Sequence, residues 1–466
     1  MDNAHDKDKE IPDDLHDRMK AFLDFDSLPR IRSKELEGIS GELKQNDDFF
    51  NVQEIPLWEP DNNGTNCIAV IRRKGATTKA VQEKLASLFG CKNFHIGYAG
   101  MKDKHATCTQ TFSINVQNGL TKFDHVLSIE EIVNTIESNT DEPTLEVVGR
   151  PAFNSKKIRR GQLKGNIFKI LITNLNVSIE EGLKRAHKTL SDLKTKAIPN
   201  YYGIQRVGKR GQSSIEGFRL LWKVQKYVTQ QTENARLRKN KNVASSGFDG
   251  KLCNVDKSQT PPDKVEEVQE AELNETIQGD SRKRSRDDFD HEGLNVSKKK
   301  FRKWCKSCGM GSIESFGQKL KLNAFQSGVF NRMLAERINS NLFMEDLVGD
   351  LVMSQYGGKP KIKDTAEYFT DKTKYGSLTF TCPMIGKRVS STTGKPKEIE
   401  DACLKEIGLS RTCFNLLGLD GSNRPGRLLV DSMGIEITKD IKERGILFSF
   451  TLPKGSYATS VIREFM

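Results

Sequence analysis

No run of eighteen or more apolar residues occurs anywhere in the chain, so no stretch reads as a bilayer-spanning helix. The first residues, Met1 to Glu10, lack the apolar core of a secretory leader, and the expectation is an intracellular protein. Cysteine is sparse: nine residues in 466, an odd number and scattered, which argues against a disulfide framework and for reduced thiols. Cys305 and Cys308 form the single Cys-x-x-Cys, with no second pair at zinc-finger spacing, so ordinary thiols and no metal are expected there. Acidic charge is in deficit. The 74 Lys and Arg against 62 Asp and Glu leave a formal net charge of +12, which points to a polyanionic partner, nucleic acid before membrane. What the chain does have is length enough for two or three domains with sizeable cores.

One stretch organises the rest: Asn93-Phe-His-Ile-Gly-Tyr-Ala-Gly-Met-Lys-Asp103-Lys-His-Ala-Thr-Cys-Thr-Gln110. It opens as an apolar, aromatic strand and is cut short by Gly97 and Gly100, so a sharp turn should present Lys102, Asp103, Lys104 and His105 just beyond a rigid element. Lysines on both sides favour the charged form of a carboxylate, which suits Asp103 to act as nucleophile or base. On these residues alone, a solvated charged turn competes with a catalytic loop.

Residues 1–30 are polar and charged and read as a disordered or loosely docked lead-in. Asp47 to Ile55 alternates like a strand, Cys67 to Arg73 reads as its partner across an Asn62–Thr65 turn, and Thr77 or Thr78 caps a helix that stops at Gly90. Lys156-Lys-Ile-Arg-Arg-Gly-Gln is a basic loop suited to phosphates, with Arg159 and Arg160 as candidate contacts, and it leads into a strand through Ile172 with Lys169 outward. A helix follows over 179–194, then a rigid aromatic turn, Ile198 to Gly208, offering Arg206 as a phosphate or carboxylate partner. Residues 229–303 are low in apolar content and read as a disordered insertion. It carries Ser281-Arg-Lys-Arg-Ser-Arg286 and Lys298-Lys-Lys-Phe-Arg-Lys303, a bipartite nuclear-import pattern across 282–303 or, equally, nucleic-acid contacts. Phe316 to Ile338 is an amphipathic helix interrupted by Gly328, and Ile446 to Leu452 alternates as a strand.

Several of these segments resemble the TruD family of RNA pseudouridine synthases. Gly97 to Thr107, with Thr109 and Gln110, resembles its signature, in which the aspartate between two lysines is catalytic. Phe50-x-Val52-x-Glu54 resembles an early element, Gly165-Asn-Ile-Phe168 its Gly-Asn-x-Phe, and Pro199-Asn-Tyr-Tyr-Gly-Ile-Gln-Arg-Val-Gly208 its aromatic turn, with Val207 where phenylalanine is usual. Gln326 to Asn331, Gly349 to Met353, Cys382 to Gly386 and the terminal Leu452 to Glu464 follow in the family's order.

That resemblance implies an α+β fold: a catalytic domain on a mixed β-sheet, with a TruD-specific α/β domain inserted. The expected bounds are 1–30 lead-in, 31–202 catalytic, 203–410 inserted (containing 229–303) and 411–466 catalytic again. It implies isomerisation of uridine to pseudouridine in transfer RNA, at uridine 13 and in other RNAs, by a monomer with no cofactor or metal. Asp103 is the implied catalytic residue. Phe50, Asn166, Phe168 and Tyr457 are the implied uridine contacts, with Lys102 or Arg206 as the cation that pairs with Asp103, and Lys104, Arg159 and Arg160 as RNA contacts. The competing expectation is an RNA-binding or RNA-folding protein on the same scaffold that no longer catalyses.

Overall fold

A computed structural model describes residues 11–208, 211–245, 298–308, 310, 315–363 and 378–466. Its strands are β1 (Phe50–Pro56), β2 (Asn66–Lys74), β3 (Ile96–Tyr98), β4 (Thr107–Asn115), β5 (Glu146–Val147), β6 (Ala152–Asn154), β7 (Leu163–Ile172), β8 (Ile198–Pro199), β9 (Leu351–Ser354), β10 (Lys361–Ile362), β11 (Leu378–Met384), β12 (Ser422–Pro425), β13 (Arg427–Leu428), β14 (Glu436–Asp440) and β15 (Gly445–Pro453). The helices are α1 (Asp13–Leu23), α2 (Thr78–Phe89), α3 (Ile129–Glu137), α4 (Ile179–Lys194), α5 (Ile204–Val207), α6 (Gln212–Ser245), α7 (Lys298–Ser307), α8 (Phe316–Asn339), α9 (Gly394–Glu406), α10 (Arg411–Leu416) and α11 (Ala458–Phe465). No helix among the described residues is long and apolar enough to cross a membrane.

The main sheet runs β14-β15-β7-β1-β4-β2-β5, with β3 on β4 and β6 on β2. It is mixed, because β1 pairs with β4 in parallel and with β7 antiparallel. The expected pairing of the first two strands is therefore corrected: β4 lies between β1 and β2. α2 begins and ends where the sequence says, with the Thr77 hydroxyl accepting from the Ala80 N–H and Gly90 in the left-handed conformation (φ 64°).

The helical cover of the sheet falls in two clusters. Phe50 and Val52 of β1, Phe168 and Ile170 of β7 and Phe448 and Phe450 of β15 pack under α4 and α11. Ala69 and Ile71 of β2 and Phe112 and Ile114 of β4 pack under α2 and α3. One row crosses the sheet from the first cluster to the second: register pairs Leu452 with Asn166, Asn166 with Glu54 and Gln110 with Ile71, and a Gln110–Glu54 hydrogen bond joins β4 to β1. Three of those five are polar, and the chemistry collects there.

A second unit holds the sheet β10-β9-β11-β12 and the helices α6, α8, α9 and α10. The expected boundary at 410 falls too early. β12 still belongs to this sheet, and the chain crosses back at β13, which pairs with β8. The lead-in also needs correction. Ile11, Leu15, Met19 and Phe22, at spacings of four and three, are buried against the helices of this unit, so α1 is a packed helix. Its closeness explains Gly328 inside α8: a Cβ there would lie 2.5 Å from a Leu23 methyl. The insertion expected over 229–303 is helical at both ends, since α6 runs to Ser245 and α7 begins at Lys298; Ser281–Arg286 lies outside the described residues.

Candidate active site

The floor of the site is the polar row. The Glu54 carboxylate accepts from Lys102 Nζ at 2.6 Å, Gln110 Nε2 at 3.2 Å and the Thr111 N–H at 3.4 Å. The Lys102 and Glu54 side chains are only 4% and 1% exposed. Gln110 Nε2 also donates to the Gly100 carbonyl (2.7 Å), and the Thr78 hydroxyl donates to Gln110 and accepts from the Lys102 N–H (2.9 Å). The loop after β3 is thus tied to the sheet through both its backbone and Lys102. Gly97 allows a further close approach, because a Cβ there would sit 2.4 Å from the Ile158 carbonyl of the basic loop.

With Lys102 turned inward, the next residue turns out. Asp103 Oδ2 accepts from Lys44 Nζ at 2.7 Å, and the two side chains are 34% and 26% exposed. Lys44 also lies 4.1 Å from the centre of the Phe50 ring, a cation–π contact. Lys44 adopts φ 60°, a conformation that costs a lysine roughly 1 kcal/mol. The backbone pairing of Glu42 with Thr173 at the end of β7 anchors that segment. The expectation that Lys102 or Arg206 pairs with Asp103 is therefore wrong on geometry: buried Glu54 takes Lys102, and Arg206 donates to the Ser327 hydroxyl at 3.2 Å.

The opposite wall comes from the second unit and the terminus. Tyr457 precedes α11, with its ring 5.6 Å from Tyr202. Burial raises the Tyr457 phenol above its ordinary value; Arg206 and Arg424 pull it down, while Tyr202 and the Asp103 charge add to the rise. The register that sets Leu452 beside Asn166 and Asn166 beside Glu54 brings the end of β15, and Tyr457 five residues on, to the same side of the molecule as the polar row. Arg424, on β12, holds the wall together. Its guanidinium donates to the Asn200 carbonyl (3.1 Å), the Asn200 side chain (2.6 Å) and the Gly455 carbonyl (2.6 Å), and lies 4.0 Å from the Tyr202 ring centre.

The other expected residues fall as follows. Phe50 and Phe168 are 2% and 7% exposed, and Phe168 stacks on Phe450 at 5.7 Å, so the face expected to hold a base is already covered. Asn166 sits between Glu54 and Leu452, and its Oδ1 is buried without a hydrogen-bond partner among the described residues. Lys104 is exposed, as are Arg159 and Arg160. Arg160 is tied to the Tyr98 hydroxyl at 2.9 Å. Arg159 helps line a recess of about 500 Å³ with Ser155, Lys156, Lys157 and Gln162. Burial, and then the Arg159 charge, lowers the Lys157 ammonium below its ordinary value, and the charge of a bound anion would act in the opposite direction.

Lys44, Arg424 and Tyr202 were not picked out from sequence. Lys44 lies in an irregular segment 59 residues from its partner, so no periodicity marks it. For Arg424, a cation beside Pro and Gly at the edge of a strand was a usable signal. Among the described residues no cluster of His, Cys, Asp and Glu is arranged to hold a metal ion.

The chain matches the family model described as tRNA pseudouridine synthase D (TruD) over residues 30–244 and 309–465. A tRNA pseudouridine synthase D of Thermus thermophilus is 25% identical over 437 residues, covering 93% of this chain and 91% of that one. The protein of the same name from Geobacter sulfurreducens is 27% identical over 458 residues, covering 94% and 96%. A solved structure from Methanosarcina mazei, described as a candidate tRNA pseudouridine synthase D, aligns at a TM-score of 0.59 and 22% identity over 98% of both chains, which supports the α+β fold.

Proposed function

The chain belongs to the TruD family of tRNA pseudouridine synthases, and from that premise we propose that Asp103 is the residue with which it isomerises uridine to pseudouridine in transfer RNA. The observation that carries this assignment is the contrast on one loop: Asp103 is a third exposed beside Lys44, whereas Glu54 is sealed against Lys102. The reaction breaks the C1′–N1 bond, rotates the base and joins C1′ to C5, and the C5 proton is lost as N1 gains one. It is redox-neutral and needs no outside group. Asp103 attacks C1′ or takes the proton at C2′, and both routes need an approachable carboxylate.

The target uridine is that at position 13, and other RNAs carry further targets. The base leaves its stack at a cost of a few kcal/mol, which pocket contacts offset. Tyr457 supplies an aromatic wall and Asn166 a polar one. Phe50 and Phe168 act from beneath, the Phe50 ring under Lys44 and its edge against Phe168. Lys104, Arg159 and Arg160 meet phosphates, with the Lys156–Gln162 recess beside them. The protein works as a monomer, in the nucleus, the cytoplasm or both, with the basic clusters of 282–303 as the import element or as RNA contacts.

The test uses a transcribed transfer RNA and a copy with cytidine at position 13, each mapped for pseudouridine after incubation with the protein. Pseudouridine at 13 in the first and none in the second is expected. Modification confined to other positions overturns the assignment of the target.

A further inference from the structure

The far half of α6 and the helix α7 form an arm that the site above does not use. In α7, Phe301, Trp304 and Cys305 recur at helical spacing and face α6: Phe301 and Cys305 are each 4% exposed, and the Tyr227 ring lies 5.5 Å from Phe301 and 4.5 Å from Trp304. The rest of α7 is cationic. Six of its ten residues are Lys or Arg and none is acidic. Lys299, Lys300, Arg302 and Lys303 are exposed, and among the described residues no carboxylate pairs with them. α6 beyond Tyr227 adds four Lys or Arg, with Glu233 its sole acid. Three lysines at the start of α7 also oppose the helix dipole, so the helix carries charges that its own stability disfavours and that a polyanion would neutralise.

We propose that this arm is a second RNA-binding surface, which takes the phosphate backbone of a part of the RNA remote from the uridine in the cleft. The proposal rests on the reading of the protein as an RNA pseudouridine synthase. α6 starts just after the turn that carries Arg206, and the stretch from Gln212 to Tyr227 spans roughly 22 Å at the rise of an α-helix. An RNA held at both places reaches at least that far from the target uridine. The helical packing also separates this use from nuclear import. A linear import signal is read as an extended chain, and releasing Lys298–Lys303 in that form would strip Phe301 and Trp304 from Tyr227.

The test replaces Lys299, Lys300, Arg302 and Lys303 by Gln and keeps Phe301, Trp304 and Cys305. Binding is measured against salt for full-length transfer RNA and for a short stem-loop containing the target uridine, alongside the single-turnover rate at saturating RNA. Loss of about three phosphate contacts should weaken transfer RNA binding by roughly 100-fold near 0.1 M salt and flatten the salt slope by about 2 to 3. Stem-loop binding and the saturated rate should not change. A companion with Lys299→Arg, Lys300→Arg, Arg302→Lys and Lys303→Arg, which keeps every charge, should bind transfer RNA as the unmodified protein does. Unchanged affinity and slope in the glutamine variant overturn the proposal, as does unchanged affinity with lost nuclear accumulation, which would assign the cluster to import. A loss that the charge-keeping companion shares also overturns it, since packing would then be the cause. Failure of the functional reading is distinct: the unmodified protein would form no pseudouridine at all.

Discussion

Lys102 and Asp103 are adjacent, yet the ion pairs they enter differ in almost every respect. Lys102 meets Glu54 at 2.6 Å with both side chains sealed, and Glu54 accepts further hydrogen bonds from Gln110 and Thr111. Asp103 meets Lys44 at 2.7 Å with a third of its side chain exposed. A buried pair stays stable only when its geometry and remaining hydrogen bonds offset desolvation, as they do around Glu54. An open pair contributes little to stability and leaves its carboxylate within reach of a substrate. The first pair fixes the loop and the second is available for chemistry.

The largest effect should come from breaking the sealed pair. Lys102→Met leaves Glu54 buried without its counter-charge and should cost about 3–5 kcal/mol in urea unfolding, and adding Glu54→Gln should recover much of that loss. Lys44→Met should do the reverse. It should leave stability within about 1 kcal/mol while lowering the single-turnover rate roughly 100-fold, because a carboxylate no longer held in place loses its alignment with the sugar. If both variants lose stability equally, the contrast between the pairs fails. Arg424→Lys probes the far wall. It keeps the charge but not the planar fork that reaches Asn200 and Gly455 together, so the rate should fall about tenfold with transfer RNA affinity little changed.

Much of the fold was legible where local signals decide it. α4 occupies the expected 179–194, α2 has the Thr77 cap, and the terminal strand keeps its alternation. The Asp103 loop was readable for the same reason, since a strand cut by glycines fixes where the charges emerge. The errors came from long-range pairing and from composition. Nothing local says that β4 enters between β1 and β2, because parallel pairing is set by a crossover rather than a turn. The charges of residues 11–28 masked an apolar spacing that was present all along. Lys44 lies in a segment without period, and its role depends on where β1 and the loop after β3 bring Phe50 and Asp103.

The most direct test of Asp103 as the reacting group is the single-turnover rate of pseudouridine formation on transfer RNA by Asp103→Asn, measured together with RNA affinity. Asparagine keeps the shape and removes the charge. The rate should be at least about 1,000-fold lower with affinity within about threefold, as expected when a group that acts only in the chemical step is removed. A variant that still modifies uridine at close to the unmodified rate would contradict this, and would show that the open pair with Lys44 is not where the reaction occurs.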